Sequence, residues 1–131
     1  MNKKLAPVIF AAVFSLAGVQ SVAYADDCPD RTQTNEQTNA KYLNEGIALA
    51  EQALEQAKQG MGPEAKETTK LSMLKFKCIV SNRGGAQLQG PKNRIKLGGI
   101  KAGKGDTDAA IPLIEEGIAR LKKVDMTPEG L

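Results

Sequence analysis

The clearest period along the chain lies between residues 43 and 61, where Leu43, Ile47, Ala50, Leu54, Ala57 and Met61 recur every three or four positions. That spacing puts them on one face of a helix, with Glu45, Glu51, Glu55 and Lys58 off it. Gly60 and Gly62-Pro63 predict its end, because glycine suits a left-handed cap and proline cannot continue the hydrogen-bond ladder. Pro63 suits the first position of a second helix, with Glu64 and Glu67 in a first turn where the helix dipole favours carboxylates. Leu71, Leu74, Phe76, Ile79 and Val80 form the expected apolar side of that helix, and Asn82-Arg83-Gly84-Gly85 its stop signal. A loop of about three residues makes the two an antiparallel hairpin.

Ala86 to Pro91 reads as a connector, followed by a weaker helix from Lys92 to about Ala102 that carries Ile95, Leu97 and Ile100. Gly98-Gly99 in its middle cost about 1 kcal/mol each relative to alanine, and they either admit a close helix contact or mark a break. Beyond the loop Gly103-Lys104-Gly105, Asp106 or Asp108 caps a last helix with the seam Ile111, Ile114, Ile118 and Leu121. Pro112 is expected to kink that helix or move its start downstream. Glu45-Gly46-Ile47-Ala48 recurs as Glu116-Gly117-Ile118-Ala119, and a glycine loop followed by an acidic helix start appears near both 60–64 and 103–108. The predicted fold is all-α, an up-and-down four-helix bundle over residues 40–124 built from two αα-hairpins, because a lone hairpin cannot bury its seams. A polar arm, 26–39, precedes the bundle and a short tail, 125–131, follows it.

The first 25 residues have a different character. Lys3 and Lys4, the mostly apolar stretch from Leu5 to Val19 and Ala23-Tyr24-Ala25 have the three parts of a secretory signal peptide cleaved near Ala25. The apolar run is about 15 residues where about 20 are needed to span a bilayer. The processed chain is therefore expected in the periplasm or outside the cell and not spanning a membrane. In that oxidising setting Cys28 and Cys78 are expected to form one structural disulfide rather than a redox or soft-metal pair.

Composition removes several classes of function. The chain has no histidine, which excludes Ser-His-Asp and Cys-His nucleophiles and His-based zinc or copper sites. Of its five aromatic residues only Tyr42 and Phe76 lie beyond residue 25, too few for base or sugar stacking. No constellation for catalysis remains, and the expectation is not an enzyme, without a cofactor.

Charge is distributed in blocks. Residues 26–65 carry 3 basic and 8 acidic groups, residues 66–104 carry 10 basic and 1 acidic, and residues 105–131 carry 3 basic and 6 acidic. One reading makes Lys66, Lys70, Lys75, Lys77, Arg83, Lys92, Arg94, Lys96, Lys101 and Lys104 a docking surface for an acidic protein or an anionic envelope surface. The other lays the basic second and third helices against acidic first and fourth helices, so that the charges neutralise one another inside the bundle. Nucleic acid is a poor partner for an exported chain with one net positive charge after processing.

Carboxylates are the only metal-ligand chemistry in quantity. Asp106-Thr107-Asp108 begins like a calcium loop, but the twelfth position, where a bidentate glutamate belongs, is Gly117. Glu51 and Glu55, four apart on one helix, and Glu115-Glu116 on the last could approach one another between helices. Met61, Met73 and Met126 are soft donors, two of them at or near apolar seams where methionine is ordinary filling.

The stretch from Glu45 to Gly60, EGIALAEQALEQAKQG, with Ile100-Lys101-Ala102-Gly103-Lys104-Gly105 and the run Glu115 to Lys122, resembles the bacterial small metal-binding protein family. The resemblance covers most of residues 42–123. It implies an exported four-helix bundle and the binding of a divalent metal ion, copper in particular. That family's ligands are surface histidines, and the matching positions here hold Leu49, Gln56, Ala102, Leu113 and Arg120. Carboxylates such as Glu51 and Glu116 are what carries over, so the metal-binding alternative rests on Glu51, Glu55, Glu115 and Glu116. The leading expectation is a non-catalytic binding or accessory protein that docks through its basic middle helices.

Overall fold

The computed structural model describes residue 28, residues 36–79 and residues 86–124. The stretch read as an export segment, 1–25, most of the expected polar arm, Val80, Arg83 and the expected tail 125–131 lie outside them. Among the described residues there are four helices: α1, Glu36–Lys58; α2, Gly62–Phe76; α3, Ala86–Gly103; and α4, Thr107–Leu121. Each packs against its sequence neighbours, and α4 closes the ring against α1, while α1 and α3 barely touch across the diagonal. This is the up-and-down four-helix bundle expected from the periodicity.

The α1–α2 and α3–α4 hairpins turn by the same device. Gly60 has φ +78° and Gly105 φ +89°, the left-handed region open to glycine without steric cost. After α1, Met61 N–H donates to Gln56 O at 2.8 Å and Gly60 N–H to Ala57 O at 3.0 Å. After α3, Asp106 N–H donates to Lys101 O and Gly105 N–H to Ala102 O, both at 2.9 Å. This pair of bonds is the Schellman closure, which satisfies the last carbonyls of the helix. Pro63 sits in the first turn of α2, and the Asp106 carboxylate accepts from Ala109 N–H at 3.1 Å to cap α4.

Several boundaries differ from the sequence-based expectation, among them the end of α2, which stops at Phe76, before the Ile79 expected inside it. α1 starts at Glu36, inside the stretch read as arm. α3 starts at Ala86 rather than Lys92, with the supposed connector forming its first turns and Pro91 buried inside the helix. It runs unbroken through Gly98-Gly99, which serve as contact points rather than a break. A Cβ on Gly99 would overlap the Thr69 side chain on α2, so the missing side chains bring α2 and α3 together. α4 begins at Thr107 and is not displaced by Pro112, which stands exposed on its outer side.

The core centres on Tyr42, Phe76, Ile95, Ile114 and Leu121. The seams of α1 and α4 fall close to the prediction: Leu43, Ile47, Ala50, Ala57, Ile114, Ile118 and Leu121 are buried, with Leu54 and Ile111 packed at the edge. α2 behaves otherwise. Its buried residues are Gly62, Ala65, Thr68, Thr69, Ser72 and Phe76, while Leu71 and Leu74 are half-buried. Ser72 Oγ donates to Gly46 O at 2.7 Å and Thr69 Oγ1 to Lys66 O at 2.7 Å, so these hydroxyls enter the core with their polar atoms satisfied.

Cys78, just past α2 and buried, is joined to Cys28 with Cα atoms 5.6 Å apart. The bond closes a separation of 50 residues and fastens the chain before α1 to the end of α2. By loop entropy such a link stabilises the fold by up to about 4 kcal/mol. It is compatible with an exported location, and no helix among the described residues is long and apolar enough to cross a membrane.

Candidate functional site

Because α2 buries small residues along most of its inward face, with Phe76 the exception at its end, Met73 and Leu74 are left for another face. Met73 and Leu74 line a groove between α2 and α3. On the facing helix, the expected seam Ile95, Leu97 and Ile100 divides: Ile95 is fully buried, but Leu97 is 44% exposed and Ile100 40% exposed. Leu97 and Ile100 are thus corrected from core to surface. The heptad of α3 is occupied inward by Leu88, Pro91, Ile95, Gly98, Gly99 and Ala102, which turns positions 97 and 100 away from the centre.

The groove has a volume of about 530 Å³. Met73, Leu74, Gly99 and Ile100 give it an apolar floor, and Thr69 and Asn93 are its uncharged polar members. Five lysines complete the lining, Lys66 and Lys70 from α2, Lys77 just past its end and Lys92 and Lys96 from α3, and no carboxylate does among the described residues. The stem of Lys66 lies against Gly103, where a Cβ would collide with it, so the apolar part of the side chain packs while its charge reaches water. Lys92 is half-buried, and desolvation, followed by repulsion from Lys77, holds its pKa below the usual 10.5.

Both charge readings of the sequence find a place in the molecule. At the edges of the basic helices the charges neutralise: Lys75 meets Glu45 of α1 at 3.2 Å, and Arg94 meets Glu116 of α4 at 3.2 Å. Lys70 pairs within α2 with Glu67, at 3.3 Å and well exposed. Lys66, Lys77, Lys92, Lys96, Lys101 and Lys104 have no carboxylate within ion-pair distance among the described residues. Neutralisation therefore stops at the outer edges, and the seam between α2 and α3 keeps its positive charge. α3 contains no acidic residue along its whole length.

The carboxylates of the metal-binding alternative lie on the opposite side of the bundle. Glu51 meets Lys122 at 2.8 Å, Glu116 meets Arg120 at 2.7 Å as well as Arg94, and Lys58 stands between Glu55 at 3.9 Å and Glu115 at 3.7 Å. Each of the four thus faces a cation. Among the described residues no three His, Cys, Asp or Glu side chains converge as a metal site.

Sequence reasoning named the lysines but missed the groove floor. The signal that could have found it was the placement of Met73, Leu74 and Ile100 off the inward face once Thr69, Ser72 and Gly98-Gly99 are read as small inward-facing residues. Comparisons with protein-family models, curated proteins and solved structures gave no match to this chain.

Proposed function

We propose that this protein is a non-catalytic binding or accessory module, exported to the periplasm or beyond, that docks an anionic partner through the groove between α2 and α3. One observation carries the reading: five lysines surround a groove with no carboxylate among its described lining residues, and four of them have no ion-pair partner among the described residues, Lys70 meeting only Glu67 of its own helix, while Lys75 and Arg94 at the edges are paired across helices. Holding like charges together costs free energy unless an anion visits them, and the half-buried Lys92 marks where that cost is highest. The export segment and the disulfide supply the extracytoplasmic setting.

The test is calorimetric titration of the disulfide-bonded protein with poly-L-glutamate. Binding is expected to weaken steeply between about 0.1 and 1 M salt, as the Debye length falls from about 10 to 3 Å. Replacing Lys66, Lys92 and Lys96 together by glutamine removes it, whereas Lys122→Gln with Lys123→Gln, outside the groove, leaves most of it. Binding that ignores salt, or that both sets of variants weaken equally, overturns the reading.

A further inference from the structure

Resting on that docking reading, we propose that the occupant of the groove is an acidic amphipathic helix of a partner protein, laid lengthwise between α2 and α3. Two features of the groove have to be met at once, and they select this occupant over other anions.

The first is the floor. A surface that recognised charge alone would need only its lysines, yet Met73, Leu74 and Ile100 form an apolar strip beneath them. Ile100 is 40% exposed and Leu97, one turn before it, 44%, the two large apolar side chains left most open among the described residues. Covering such a strip requires an apolar stripe on the partner.

The second is where the charges stand. Thr69 meets Gly99 and Lys66 meets Gly103, so α2 and α3 run antiparallel along the groove, and Lys77 lies by Lys92 at the far end. From Lys66 to Lys77 the rim extends about 17 Å at 1.5 Å per residue, close to three turns of helix. The lysines are spread along that length at spacings of four and seven residues along α2 and just past its end, and four on α3. A single-headed amphiphile needs cations at one end of its chain only. An amphipathic helix presents an apolar stripe at i, i+3, i+4 and i+7 with acidic residues on both flanks, repeating at the spacing of the lysines. Laid between two helices, it adds a third by ordinary groove packing.

The experiment compares two peptides of about 14 residues, equal in composition and charge. In one, leucines occupy a single helical stripe flanked by glutamates; in the other the order is scrambled. Each is titrated into the disulfide-bonded protein beside poly-L-glutamate and vesicles of phosphatidylglycerol. The amphipathic peptide is expected to bind at least about tenfold more tightly than the scrambled one, about 1.4 kcal/mol of discrimination. Ile100→Gln, at a position 40% exposed, is expected to erase most of that preference, read as the ratio of the two peptide affinities, and circular dichroism checks that the variant stays folded. Equal binding of the two peptides, with polyglutamate still bound, overturns the helix and leaves the anion-docking face standing. Loss of polyglutamate binding as well overturns the docking reading itself. Preference for the vesicles over both peptides overturns the proposal in favour of a lipid surface.

Discussion

The α1/α4 side of the bundle and the α2/α3 side are built on different rules. Along α1 and α4 the large apolar residues of the period are the ones buried, and the charges outside them are matched across the seam, Lys58 with Glu115 and Lys122 with Glu51. Along α2 and α3 the helices meet on Thr69 and Gly99, Phe76 and Ile95 enter the core while Leu74, Leu97 and Ile100 turn away from it, and lysines line the groove from both sides. A period of apolar residues reports the core only where those residues are what the core needs. When a helix buries threonine, serine and glycine instead, its leftover isoleucine and leucine mark a second surface, and such departures from local rules concentrate at functional places.

The largest test of this contrast is a matched pair of isoleucines. Ile114→Ala removes a fully buried side chain from the core beside Gly98 and is expected to lower unfolding free energy by about 2 to 5 kcal/mol. Ile100→Ala, on the groove floor, is expected to cost less than about 1 kcal/mol, because its side chain is 40% exposed and alanine is the better helix former. Urea unfolding with the disulfide intact measures both. Equal costs would place Ile100 in the core and abolish the groove as a separate surface.

That outcome bears on how far the sequence was legible. The class, the helix number and the two glycine turns followed from spacing, because Gly60 and Gly105 each stand where a helix must reverse. The seams of α1 and α4 followed for the same reason: Leu43, Ile47, Ile114 and Ile118 have no competitor for the inward face. The start of α3 did not, because Gly90-Pro91 reads locally as a stop, whereas Pro91 packs inside the helix against Gly117 of α4, where a Cβ would come within 2.8 Å of the proline carbonyl. Tertiary contact overrode propensity there. The lysines were visible as a charge block. Which of them lacked a counter-ion was not, since Lys75 and Arg94 look in sequence like Lys77 and Lys96 and differ only in which neighbour faces them.

Charge reversal sharpens the comparison at a smaller scale. Lys122→Glu breaks the 2.8 Å pair with Glu51 and sets two carboxylates together, with an expected loss of about 0.2 to 1 kcal/mol at low salt. Lys96→Glu, on the groove side, breaks no ion pair among the described residues and places a carboxylate four positions, one helical turn, from Lys92. It is expected to leave stability unchanged or to raise it by about 0.2 to 0.5 kcal/mol. Thermal melts at about 0.1 and 1 M salt check the sign, since both effects fade as screening sets in. A destabilising Lys96→Glu would show that the groove lysines are held by partners after all.

The smallest expected effect isolates Lys92. Burial, then Lys77, lowers its folded-state pKa below 10.5, so between the two values the unfolded chain binds more protons than the folded one. Its contribution to stability therefore rises with pH across that alkaline window, and the charged form at neutral pH is a cost to the free fold. An anion in the groove reverses this by favouring the protonated amine. Complex formation with polyglutamate should then take up a proton in the same window, and affinity should fall as pH rises through the lowered pKa. The charged groups around Lys92 are the other groove lysines, Lys66, Lys70 and Lys96 with Lys77 just past the end of α2, so the bound anion supplies the opposite charge there. Calorimetry in buffers of different ionisation enthalpy reads the uptake directly, and Lys92→Met should abolish it. Uptake that persists in Lys92→Met, or none in the unaltered protein, would mean that the bound anion does not reach Lys92, and the groove would lose its most desolvated charge as a determinant of binding.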